Sequence, residues 1–164
     1  MIWLALVGGI IIVFGFVVFF GAPYVPSRRK YIARMFDELR PIDASDTVVD
    51  IGSGDGVVLR EVSRRGARAV GYELNPLLVW ISRRLSAGDK KVSVVLANAW
   101  HVTFPEDTTV VYIFSVHRDA EKLINLMTHE AKRLGRPLTL ICYANPLPRI
   151  QPTRTFEAYH LYIF

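Results

Sequence analysis

Seven residues, Asp50-Ile51-Gly52-Ser53-Gly54-Asp55-Gly56, constrain this chain more than any other stretch. They follow the β-branched run Thr47-Val48-Val49 and precede a segment with helical apolar spacing, so they form a strand-to-helix turn. Glycine there permits a sharp turn and lets a ligand approach the main chain closely. Spacing narrows the choice of ligand. A dinucleotide fingerprint G-x-G-x-x-G starting at Gly52 needs its third glycine where Val57 stands, and the phosphate-binding G-x-x-x-x-G-K-[S/T] is absent.

The same strand-then-helix grammar repeats downstream. Apolar runs predict strands at 47–51, 68–73, 91–97, 109–115 and 137–143, with helices at about 56–65, 76–86 and 118–134, the last closed by Gly135. Such alternation means a parallel sheet covered on both faces, an α/β fold of Rossmann-like type. A final run, Thr155 to Phe164, predicts an antiparallel edge strand. Upstream, Ser27 reads as an N-cap for a helix whose face is Tyr31, Ile32, Met35, Phe36 and Leu39, ended by Pro41.

Residues 1–22 carry no ionisable side chain, and a helix over 2–21 rises about 30 Å, one hydrocarbon core. No Lys or Arg precedes this run, and no small-x-small cleavage site follows it, so an uncleaved transmembrane anchor is expected rather than a signal peptide. Prolines 23 and 26 then stiffen a linker. Three parts result: an anchor at 1–22, a linker and amphipathic helix at 23–46, and a globular domain at 47–164. Arg28, Arg29 and Lys30 place that domain on the cytoplasmic or matrix-equivalent side of a single-pass membrane protein. The formal net charge of +5 is concentrated beside the anchor, since residues 28–40 hold five basic groups against Asp37 and Glu38. An anionic lipid surface suits that cluster, and without interleaved aromatics no nucleic-acid partner is expected. A single cysteine, Cys142, and four scattered histidines exclude a disulfide framework and give no metal site.

Two further strand ends carry candidate ligands. Glu73 ends the second strand, where a carboxylate accepts both ribose hydroxyls of a nucleoside, and Leu74 follows it. Asn75 and Pro76 supply the next helix with a cap and an N1 proline. Asn98-Ala99-Trp100 ends the third strand. His101 and His117 also follow strand ends, where either a proton acceptor or a plain polar loop side chain fits.

The pattern D-x-G-x-G-x-G, with the acid at the second strand end, resembles the class I S-adenosylmethionine-dependent methyltransferases. The segment Gly71-Tyr72-Glu73-Leu74-Asn75-Pro76-Leu77-Leu78-Val79-Trp80-Ile81-Ser82-Arg83, with Pro23-Tyr24-Val25-Pro26 upstream, narrows the likeness. It is similar to the membrane-anchored protein-lysine methyltransferases that modify the ATP synthase c subunit and the adenine nucleotide translocase. The short chain, without a transit peptide, resembles a prokaryotic-type relative.

This resemblance implies a methyltransferase sheet ordered 3-2-1-4-5 with the last strand antiparallel beside the fifth. It implies S-adenosyl-L-methionine as cofactor, held by Asp50, Gly52, Ser53, Gly54, Gly56, Glu73, Leu74, Asn98, Ala99 and Trp100. Asn98 stands where the family usually has Asp. Tyr24, Pro26 and Ser115 are candidate lid or substrate residues, and Tyr112 is a further candidate for binding an amine. The implied acceptor is a lysine of a membrane protein. A lipid, quinone or other membrane small molecule stays open as acceptor, as does a non-catalytic cofactor-binding module, because no residue is marked as catalytic.

Overall fold

The computed structural model describes residues 28–164, together with Trp3 and Gly8. Apart from those two positions, the expected anchor lies outside the described residues, as do Tyr24, Pro26 and Ser27. Among the described residues, no helix is long and apolar enough to cross a membrane.

Helix α1 (Arg29–Leu39) leads into β1 (Thr47–Ile51), α2 (Val57–Arg64), β2 (Arg68–Glu73), α3 (Pro76–Leu85) and β3 (Val92–Leu96). Next come β4 (Val110–Ser115), α4 (Ala120–Leu134), β5 (Thr139–Ala144), β6 (Arg154–Phe156) and β7 (Tyr159–Ile163). Short 3-10 turns at Ala99–His101 and His117–Asp119 precede β4 and α4. One seven-stranded sheet runs β3-β2-β1-β4-β5-β7-β6. The five strands β1 to β5 are parallel, β7 is antiparallel to both neighbours, and β1 pairs on both sides. The glycine turn therefore opens from the sheet's centre, as the sequence predicts.

Alternation along β1 divides the core. Val48 faces a cluster with Ile32, Met35 and Phe36 of α1, Val58, Leu59 and Val62 of α2, and Val79 of α3. Val49 and Ile51 face Leu123 and Met127 of α4, Phe104 and Tyr162. Each fully buried side chain of this size contributes about 1.5–3 kcal/mol.

Three expectations are corrected. The C-terminal run is a hairpin rather than one strand, because the chain reverses at Glu157, whose φ of +52° ends β6. Arg28, with no side-chain cap bond, holds the N-cap position of α1. The β3-to-β4 connection contains only a 3-10 turn, so Val95 and Leu96 of β3 remain 36% and 52% exposed and this edge lacks a second covering layer.

The direction of α1 fixes where the preceding chain enters. Arg154, at the start of β6, donates to the carbonyls of Leu39 and Glu38. Arg34 pairs with Glu157, beyond the other end of β6, at 3.1 Å. Since β6 and β5 are both antiparallel to β7, β6 ends where β5 ends. Helix α1 thus begins toward the carboxyl ends of the parallel strands, the end at which open α/β sheets bind ligands.

Candidate active site

The glycine turn hangs on β2. The N–H groups of Gly52 and Ser53 donate to the Tyr72 carbonyl at 2.9 and 3.2 Å, and Gly56 N–H donates to the Ser53 carbonyl at 2.9 Å. Gly52 has φ +74°, and a Cβ built there meets nothing within 4 Å. Its backbone conformation, rather than crowding, demands glycine, and the main chain stays open to a ligand. Gly56, at φ +80°, is required on both counts, since a side chain there would also run into the Ser82 hydroxyl of α3. Ser53 is 6% exposed, and its hydroxyl is buried with no hydrogen-bond partner among the described residues. The opposing residue, Gly71, leaves it room, since a Cβ there would lie 2.5 Å from Ser53 Oγ.

Glu73 joins this turn to the next helix. Its Oε2 accepts from Gly54 N–H at 2.9 Å and its Oε1 from Asn75 N–H at 2.8 Å. Each carboxylate oxygen retains lone-pair capacity beyond those bonds, so the group stays able to accept two hydroxyls. Asn75 caps α3 by accepting from Leu77 and Leu78 N–H groups. Leu74, 38% exposed, follows at the mouth.

Asp50 is 2% exposed. Burial pushes its carboxyl well above the ordinary range, and the negative charges of Glu73 and Asp55 push it further. A buried acid facing two like charges is an incomplete site, which a cation would complete.

The end of β3 reaches the same place. Ala97 N–H donates to the Glu73 carbonyl at 3.0 Å. Asn98 caps the following turn, its Oδ1 accepting from Trp100 N–H at 3.1 Å, which leaves its amide N–H₂ to donate. Ala99 is buried in the cluster beneath α4, and Trp100 packs against that cluster with Lys122 Nζ 4.8 Å from its ring centroid.

The other half of the strand ends is built differently. Ser115 is 1% exposed, and its carbonyl accepts from Asn145 Nδ2 at 2.7 Å. Asn145 follows Ala144, a non-glycine residue with φ +77°. Such backbone strain costs about 1–3 kcal/mol and gathers at functional sites. Sequence reasoning missed Asn145; the only available signal was its place just past the predicted fifth strand, in Ala144-Asn145-Pro146. His101 and His117 are exposed. Among the described residues, no three His, Cys, Asp or Glu side chains gather as a metal site.

The donor set fits an aminoacyl nucleoside. Among the described residues, Asp50 is buried against like charge, the Glu73 oxygens keep acceptor capacity for a diol, the Asn98 amide keeps its donors, and the Ser53 hydroxyl has no hydrogen-bond partner. Sheet order and site together define the class: this is the fold of the class I S-adenosylmethionine-dependent methyltransferases.

Known proteins point the same way. The model of the ANTKMT methyltransferase domain matches residues 50–154. The lysine N-methyltransferase of the ATP synthase c subunit from Mus musculus is 35% identical over 139 residues, covering 81% of this chain and 53% of that protein. The Xenopus laevis protein of the same name is 33% identical, covering 82% and 58%. A solved RNA methyltransferase from Salinibacter ruber, in complex with S-adenosyl-L-homocysteine, shares the fold with a TM-score of 0.72 at 24% identity, over 85% of this chain and 92% of that one. This chain belongs to the ANTKMT methyltransferase domain family. It spans about half the length of the curated relatives it matches.

Proposed function

We propose that this protein is an S-adenosylmethionine-dependent N-methyltransferase acting on a lysine of a membrane protein, with residues 1–22 as its anchor. The observation that carries the reading is the buried Asp50 carboxyl at the head of an open glycine turn, with Glu73 bonded into the same turn. The family's named lysine N-methyltransferases supply the acceptor class.

The cofactor, when bound, supplies a methyl group already activated on a sulfonium sulfur, so no protein nucleophile is required. The chain's own work is placement. Asp50 would hold the ammonium of the methionine part, and that cation would offset the like charges around it. Glu73 would take the ribose hydroxyls through the lone pairs its two backbone bonds leave free. Asn98 and Leu74 would contact the base. A lysine attacks only as the neutral amine, and an apolar mouth favours that form by desolvating it.

Anchoring is supported by the uncharged run at 1–22 and by the entry of the chain at the ligand end of the sheet. A tether leaving from that end holds the mouth near the bilayer and confines enzyme and acceptor to one layer. Arg28 and Lys30 face anionic headgroups, whereas Arg29 is already tied to Glu61 at 2.9 Å. The domain then lies on the cytoplasmic or matrix-equivalent side.

Incubating membranes that contain the full chain with radiolabelled cofactor, then separating protein from lipid, tests the reading. Label in protein is expected. Label confined to lipid or quinone assigns a small-molecule acceptor instead, and S-adenosylmethionine binding with no transfer leaves only a binding module.

A further inference from the structure

Four aromatic side chains form a row across four neighbouring strands. Phe114 of β4 is in register with Tyr143 of β5, Tyr143 with Tyr159 of β7, and Tyr159 with Phe156 of β6. Ring centroids lie 5.5 Å apart for Phe114 and Tyr143, tilted by 59°, and 4.7 Å apart for Tyr143 and Tyr159. The row lies on the α1 side of the sheet, with Arg34 of α1 5.1 Å from the Phe156 ring centroid. Its inner end lies next to the cofactor turn: the last β1–β4 pair is Ile51 with Ile113, and Phe114 is one residue beyond that pair on β4, as Gly52 is on the β1 side.

Packing alone accounts for the outer part. Tyr159 is 4% exposed, and cross-strand aromatic pairs stabilise a sheet. It does not account for the inner pair, which stays partly exposed at the strand ends where ligands bind. Aromatic faces attract cations, and they also exclude the water that keeps an amine protonated. An amine acceptor requires both properties: a site that draws in an ammonium and lets it lose its proton.

We propose that Phe114 and Tyr143 receive the methyl-accepting lysine, packing along its aliphatic stem and holding its amine, and later its methylated ammonium, against their rings. This assignment rests on the lysine reading above and adds to it the surface that recognises the acceptor. Flat rings also stack nucleobases, and a nucleic-acid acceptor is the contrary outcome of the test.

The full chain in detergent, saturated with S-adenosylhomocysteine, is titrated with Nα-acetyl-Nε-trimethyl-lysine methylamide and followed by proton NMR. Shielding by the ring faces should move the N-methyl signal upfield in a saturable way. Phe114→Leu and Tyr143→Leu, which keep apolar volume but remove the ring, should weaken this binding at least fivefold and leave the S-adenosylhomocysteine affinity within twofold. Tyr143→Phe should retain it.

No upfield shift, or a shift unchanged in both leucine variants, overturns the assignment while the methyltransferase reading stands. In a parallel titration with adenosine monophosphate, a saturable upfield shift of its base protons where the trimethyl-lysine signal does not move also overturns it, in favour of a nucleic-acid acceptor. A chain that does not bind S-adenosylhomocysteine overturns both.

Discussion

The two ends of this sheet bury acids in opposite ways. At the amino end, Asp46 is 5% exposed and fully engaged: Arg40 grips it through two bonds of 2.8 and 2.7 Å, and Thr109 Oγ1 donates at 2.7 Å. Beside it, Thr47 and Arg68 both bond Asp107 at 2.8 Å. Burial pushes the Asp107 carboxyl up, but those hydrogen bonds outweigh it and hold the group below its usual range. Glu130, 2% exposed, accepts from Phe104 N–H and from Arg133, which also pairs with Glu106. At the carboxyl end, among the described residues, Asp50 is as deeply buried but faces the like charges of Glu73 and Asp55, the Ser53 hydroxyl has no hydrogen-bond partner, and Ala144 is strained. Completed networks stabilise the fold. Incomplete ones are where the proposed cofactor would supply the missing half.

The largest effect should come from breaking a completed network. Arg133→Ala strands Glu130 in the core, at a cost of about 3–5 kcal/mol. Thermal unfolding should fall by about 10 °C. Calorimetry should find S-adenosylhomocysteine affinity within twofold of the parent, since the damage lies at the opposite end of the sheet.

Glu73→Ala should show the converse. Losing a charge-assisted pair of contacts costs about 1.5–3 kcal/mol, or roughly 10- to 150-fold in cofactor affinity. Its two backbone donors sit on Gly54, which is buried, and Asn75, which is partly buried, so the melting temperature should fall by a few degrees, less than in Arg133→Ala.

Asp50→Asn should separate stability from binding. The folded-state pKa of Asp50 is raised, so its contribution is fully present below the unfolded value of 3.8 and is lost as pH rises through the folded value. At pH 7.5 the cofactor-free variant should therefore be the more stable protein, by about 1 kcal/mol or about 3 °C, while binding cofactor more weakly. That gain should shrink as pH is lowered. Asp107 runs the other way: its contribution is present above 3.8 and is lost as pH falls through its depressed folded value.

The smallest effect belongs to Arg68→Ala. Its pair with Asp107 leaves both side chains about half exposed, and denaturant titration should find a loss of about 1 kcal/mol or less. A larger loss would make the amino-end network more cooperative than its separate bonds.

The cofactor half was legible in the sequence because its requirements are local. A glycine with φ +74°, an acid at a strand end and an Asn-Pro helix start each leave a mark within a few residues. The aromatic row was not. Phe114, Tyr143 and Tyr159 are far apart in sequence and become a row only through strand register, and each alone reads as a core aromatic. Asn145 aims at Ser115 through a strained turn that no residue preference announces. The hairpin at β6 and β7 was missed because a reversal at Glu157 without glycine or proline carries no turn signal.

The most direct test follows the methyl group to its acceptor. Membranes holding the full chain are incubated with methyl-labelled S-adenosylmethionine, and the labelled protein is hydrolysed to amino acids. Label is expected in methylated lysine, lost with Glu73→Ala and retained with Arg133→Ala at a temperature where that variant stays folded. Label in lipid, in nucleic acid or in another amino acid would contradict a lysine methyltransferase.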